Sequence, residues 1–290
     1  MSNEQQIKRR ISTAQNIAQI TKAMEMVAAS KMKKAQDQAL AARDYSQALN
    51  ESIATLFRAS KPSHPLLSNH ELGLPIMLVI STDKGLCGAL NANLARELLI
   101  WKKQHSDGEV ICVGKKAVLL TRKLELTVHA QFTDLSEYVS FQDVIPVIEL
   151  IIKGFLEQQF CSVEVLYTDF INTLSQKPKL ETILPISKNF ELETEKEIKT
   201  EVVQLKEYLF EPSPQAILDQ LLPFYLENML FHIFLEAKAS EHSARMVAMK
   251  NASENAKDLM GELRLIYNKS RQQNVTSELL DIISATMALN

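Results

Sequence analysis

From Glu4 to about Ser60 the chain contains neither glycine nor proline. No other feature constrains its fold as strongly. Alanine, glutamine, methionine, lysine and glutamate dominate the run, all good helix formers. Ile7, Ile11, Ala14, Ala18, Met24, Ala28 and Met32 recur at mostly three- and four-residue intervals, the signature of one apolar stripe on a helix. At about 1.5 Å per residue, such a helix reaches roughly 80 Å. It stops at KPSHP, Lys61 to Pro65, which reads as a helix terminus and linker.

The C-terminal segment reads the same way. Ser213 and Pro214 supply an N-cap and a first-turn proline, and helical periodicity then continues to about Leu289. Pro223 is expected to kink this helix near its start, and Gly261 weakens it by about 1 kcal/mol relative to alanine. Its reach is roughly 110 Å.

Between the two, apolar β-branched runs appear: PIMLVIS, EVICVG, ELTVHA, VEVLYTDFI and ETILPI. Helical stretches at Ala89–Gln104, Lys115–Lys123 and Phe141–Gln159 alternate with the first four. Strand and helix in alternation predict a small doubly wound, largely parallel α/β sheet. The predicted organisation is an N-terminal helix over 1–60, a linker over 61–73, an α/β domain over 74–188, an acidic linker over 189–212 and a C-terminal helix over 213–290. A domain of this size has a radius of gyration near ~14 Å, so helices of such length must project beyond it. They can bury their stripes against each other as an antiparallel coiled coil. After Asp281 the chain reads IISATMALN, without a charged side chain. An apolar helical tip implies a partner with an apolar socket, the alternative being that the tail folds back on its own domain.

The chemistry-bearing residues exclude more than they suggest. A net charge of -3 gives no general reason to expect nucleic acid, and the basic face of Lys8, Arg9, Arg10, Lys31, Lys33 and Lys34 lacks interleaved aromatics. It reads as the outer face of a coiled coil. Cys87, Cys112 and Cys161 are far apart and form no zinc motif. The first residues lack the apolar core of a signal peptide, and no window approaches the ~20 apolar residues of a membrane span. The chain reads as soluble and cytosolic.

One stretch looks catalytic: STDKGLCGALN, Ser81 to Asn91. Its G-L-C-G spacing, with Lys84 ahead of the first glycine, matches neither the phosphate loop nor the dinucleotide fingerprint. No motif ties a histidine to Cys87, and His232 and His242 are too far apart on one helix to share a metal. The loop therefore reads as a tight strand-to-helix turn with a buried, inert thiol. Its glycines are expected to permit close backbone packing, leaving Lys84 available to an acidic partner.

Three segments taken together resemble a known family. ITKAMEMVAASKMKKAQ (Ile20 to Gln36), STDKGLCGALN, and SEHSARMVAMKNASENAKDL (Ser240 to Leu259) resemble the gamma subunit of rotary F-type ATP synthases. YNKSRQQNVTSELLDII (Tyr267 to Ile283) extends the similarity. The resemblance implies an antiparallel helical shaft inside a ring of three alpha and three beta subunits. The α/β domain would rest, with an epsilon subunit, on a membrane ring of c subunits, at the cytoplasmic side of a bacterial plasma membrane. The chain would couple ion flow to ATP synthesis, or the reverse, without a catalytic site, metal or cofactor of its own.

By the same resemblance, Lys22, Met24, Glu25, Lys84, Cys87 and Arg245 face the alpha–beta ring. Arg271, Gln272, Thr276, Glu278 and Asp281 form a hydrogen-bonding catch, and Ile282, Ile283, Met287 and Leu289 an upper bearing. Tyr208 and Glu211 form the foot on the ring. The tip is bulkier than the family's usual one at Thr286 and Met287, Gln273 and Asn274 replace small residues, Ala89 stands where a glycine is common, and Lys115 to Leu150 matches weakly. Two other classes remain: a nucleotide- or thiol-dependent enzyme on the α/β domain, and a static coiled-coil adaptor.

Overall fold

The computed structural model describes residues 2–59, 64–186, 211 and 213–288. Helix α1 runs over Ser2–Ala59 and the last helix, α5, over Pro214–Ala288. Their 58 and 75 residues correspond to lengths of about 87 and about 112 Å. Pro223 lies inside α5, which remains helical through it, although an interior proline gives up one bond of the helical ladder and crowds the carbonyl four residues back. The chain divides into two compact units, Met1–Ala29 with Arg245–Asn290, and Ser30–Ala244. The division passes through both long helices.

The first unit is a helix pair. On α1 the buried side chains are Ile7, Ala14, Ala18 and Ala28, with Ile11, Thr21 and Glu25 half-buried between them. On α5 Met249, Ser253, Ala256 and Leu263 are buried, and Met260, Tyr267, Ser270 and Asn274 half-buried. Both series step alternately by three and four, the seven-residue repeat of a left-handed coiled coil. The Ser253 hydroxyl donates to the Ala18 carbonyl at 3.3 Å. Further along α1 Tyr45 meets Phe224, which comes earlier on α5, so the two helices run antiparallel. Alanine on the α1 side of the seam lets the helices approach closely. From Val275 to Met287, the α5 side chains described are all exposed.

The second unit is built on five strands: β1 (Leu74–Ile80), β2 (Glu109–Val113), β3 (Thr127–Phe132), β4 (Phe160–Phe170) and β5 (Gln176–Leu184). Helices α2 (Leu90–Gln104), α3 (Lys115–Lys123) and α4 (Phe141–Leu156) connect the first four. The order is β3-β2-β1-β4-β5, parallel except for β5, which returns antiparallel to β4 through a short hairpin. A sheet covered on both faces needs apolar residues in unbroken runs. In β1, Ile76, Leu78 and Ile80 enter a core with α4, Leu49 and Ile53 of α1, and Leu226 and Phe234 of α5. Met77 and Val79 point the other way, into a core with Leu94, Leu98 and Trp101 of α2 and Ala117 of α3. Trp101 closes the second layer by donating its indole N–H to Glu164 of β4 at 2.8 Å.

Candidate partner-contact surfaces

The turn from β1 into α2 is built around its own polar groups. Asn91 donates one amide N–H to the Thr82 hydroxyl at 2.9 Å and another to Cys87 Sγ at 3.3 Å. Cys87 is only 3% exposed and belongs to the core beneath α2. The thiol thus anchors the loop, and the expectation that Cys87 itself touches a partner meets a buried side chain. What the loop presents outward is Leu86, at 60% exposure, and Lys84.

The glycines have a different explanation from close packing. A β-carbon at Gly85 or Gly88 would meet nothing within 4 Å. Gly88 is required by its φ of +61°, in the left-handed region that side chains disfavour. Leu86 sits in the same region, at φ 63°.

Lys84 is not free. Its ammonium lies 3.0 Å from Glu137 Oε1 in the loop between β3 and α4, and Lys31 of α1 reaches the other carboxylate oxygen. The hydrogen bonds from Lys31 and then Lys84 hold the Glu137 carboxyl down at about 2. Beside it, Lys34 stands 4.9 Å from the centre of the Tyr138 ring, a cation–π contact. Sequence reading missed Glu137 because it lies in the weakly matching middle segment. The only signal was a carboxylate beside an aromatic, which is common.

Parallel doubly wound sheets bind ligands where the strand order reverses, beyond the carboxyl ends of the strands. Here that place is the crevice between β1 and β4. It is bounded by Ser81, Thr82 and Asp83 after β1 and by Thr168 on β4, and α5 projects Phe234, Ala237, Lys238 and Glu241 into it. Lys238 and Glu241 pair at 3.2 Å with little exposure. The space left is about that of one water molecule, against the hundreds of Å³ of a ligand pocket. Among the described residues no group of three or more His, Cys, Asp or Glu is placed to hold a metal. No helix among them is long and apolar enough to cross a membrane.

The other sequence-predicted residues fall into separate groups. Lys22 and Glu25 form an ion pair at 3.0 Å on one turn of α1, with Met24 half-buried between them. Arg245 is half-buried on α5. Arg271, Gln272, Thr276, Glu278 and Asp281 are all exposed on α5, and Thr276 already donates its hydroxyl to the Gln272 carbonyl at 2.8 Å, leaving only its lone pairs for a partner. Ile282, Ile283 and Met287 are 63%, 50% and 76% exposed. Glu211 is exposed just ahead of α5. Tyr208 and Leu289 lie outside the described residues.

A family model described as ATP synthase matches residues 3–289. An ATP synthase gamma chain of Dehalococcoides mccartyi is 41% identical over the full length of both chains. That of Akkermansia muciniphila is 40% identical, again over both full lengths. Among solved structures, the rotor of the Euglena gracilis mitochondrial ATP synthase superposes with a TM-score of 0.67 at 20% identity, covering 94% of this chain and 99% of that one. The central stalk of the Tetrahymena thermophila mitochondrial ATP synthase gives 0.59 at 24% identity, over 81% of this chain and 99% of that one. With helix pair, sheet order and full-length identity in agreement, the chain belongs to the ATP synthase gamma chain family.

Proposed function

We propose that this chain is the turning shaft of a rotary ATP synthase, converting rotation of a membrane ring into successive changes at catalytic sites on other subunits. The observation that carries this reading is the far end of α5. Its seam residues end at Asn274, yet Val275, Leu279, Leu280, Ile282, Ile283 and Met287 continue apolar and exposed beyond it. A surface of this kind calls for a fitted partner. A sleeve of three alpha and three beta subunits supplies one, with Arg271, Gln272, Thr276, Glu278 and Asp281 bonding to its rim.

The mechanism is unequal contact. Two helices in cross-section have no threefold axis, so three identical beta subunits around them meet three different faces. A contact shifts a conformational equilibrium only when it differs between the states. As the shaft turns, each beta subunit meets in sequence the faces that favour binding, closure and release. Lys22, Met24 and Glu25 on α1, Arg245 on α5 and the loop carrying Lys84 meet the moving parts of beta. The foot, with Tyr208 and Glu211, meets epsilon and the ring of c subunits.

Bond chemistry, nucleotide and magnesium belong to the partners. The filled crevice and the buried Cys87 support a shaft without a catalytic site. Bacterial relatives support a place at the cytoplasmic face of the plasma membrane, held there by the ring. The test is purification of the full complex with this chain truncated. Removing 282–290 is expected to weaken assembly or ATP-driven ion pumping moderately, and removing 271–290 severely. Full assembly and full pumping after both deletions would sink the assignment. Assembly without dependence of pumping on the shaft would favour a static adaptor.

A further inference from the structure

The loop that follows β3 draws three lysines from two elements onto adjacent residues. Glu137 places one carboxylate oxygen on Lys84 of the turn after β1, at 3.0 Å, and the other on Lys31 of α1. Tyr138 takes Lys34, one turn further along the same face of α1. The same loop reaches the turn a second time. Asp134 binds the Lys115 ammonium at 2.6 Å, and the Lys115 backbone N–H donates to Asp83 at 2.9 Å. Neighbouring residues of the turn, Asp83 and Lys84, are therefore fastened in different directions. Only Glu137 among these carboxylates also holds the long helix. Single exposed ion pairs are weak, but a carboxylate shared between two cations belongs to a network whose members support one another.

We infer that Glu137 is a positioning residue that latches α1 to the turn carrying Lys84 and Leu86, so that a displacement of α1 carries this surface with it. The assignment rests on the shaft reading above. It adds a residue that the family resemblance did not supply, in the segment where that resemblance is weakest. The latch is an ionic brace across two loops rather than a packed core contact, so it transmits displacement while the sheet stays rigid.

Two measurements test it separately from the shaft reading. In the isolated chain, carbon-13 NMR of the Glu137 carboxyl is expected to report titration near pH 2, shifting upward in Lys84→Gln and in Lys31→Gln. The carboxyl of Glu137 is depressed from its ordinary 4.5, so its support of the fold is complete above that value and disappears as pH falls towards 2. In the full complex, Glu137→Gln is expected to lower ions pumped per ATP hydrolysed about threefold. Glu137→Asp should restore most of this ratio, and adding Lys31→Gln to Glu137→Gln should cost little more, since the partner is already lost. Ordinary titration of Glu137 overturns the latch even if the truncations behave as a shaft requires. Wild-type coupling in Glu137→Gln overturns it too, as do independent, additive losses for Glu137→Gln and Lys31→Gln. If instead the truncations leave pumping untouched while the NMR titration stands, the shaft reading fails and the ionic brace remains.

Discussion

Gly88 and Gly85 separate two reasons for a glycine. Both sit in the turn that first looked like an active site, and neither would bring a β-carbon near another atom. Only Gly88 has a left-handed backbone, at φ +61°. Gly88→Ala is therefore expected to destabilise the chain by about 1 kcal/mol, and Gly85→Ala to change it by less than about 0.5 kcal/mol, read from urea denaturation. Equal losses for the two would show that space and not backbone conformation governs the turn. Leu86 shares the left-handed conformation without glycine's freedom and is also the exposed apolar tip of the turn. A strained, solvent-facing leucine is the kind of outlier that points to a contact surface. The sequence pattern indicated a turn here and excluded phosphate. It contained no sign that Asn91 would seal Cys87 inside or that Glu137 would hold Lys84, because both depend on tertiary neighbours.

At the scale of elements, the helix pair is governed by small residues. Ala14, Ala18 and Ala28 line the α1 seam, all 8% exposed or less, and the Ala18 carbonyl accepts the Ser253 hydroxyl. Ala18→Leu keeps the helix propensity but overfills the seam, at a cost of about 1–3 kcal/mol. Thermal unfolding followed by circular dichroism measures it, with the exposed Ile17→Leu as the control near zero. An Ala18→Leu chain as stable as the wild type would mean the pair is loosely packed. These elements were legible beforehand. The absence of glycine and proline, with a three-and-four stripe, marks a helix whatever surrounds it, and the β-branched runs mark strands to within a few residues. The antiparallel return of β5 was not legible, since an apolar strand reads alike in either direction.

For the whole molecule, the decisive feature is what fills the usual ligand crevice of the sheet. Phe234 is 1% exposed and belongs to the main core, and it also borders that crevice. Phe234→Ala is expected to cost about 3–5 kcal/mol without creating a nucleotide site, because Lys238 and Glu241 remain in place. Denaturation curves measure the first claim and titration calorimetry with magnesium-ATP the second; heat from specific binding would contradict it. By itself the sequence determined two very long helices, a doubly wound sheet between them, an apolar tip in need of a partner and the family, all properties of local pattern and of long, unusual motifs. Only the tertiary structure decided that the seven-residue seam ends at Asn274, that α5 corks the crevice, and that Glu137 bridges two lysines. Those outcomes depend on which residues meet across distant segments, and no local periodicity encodes such meetings.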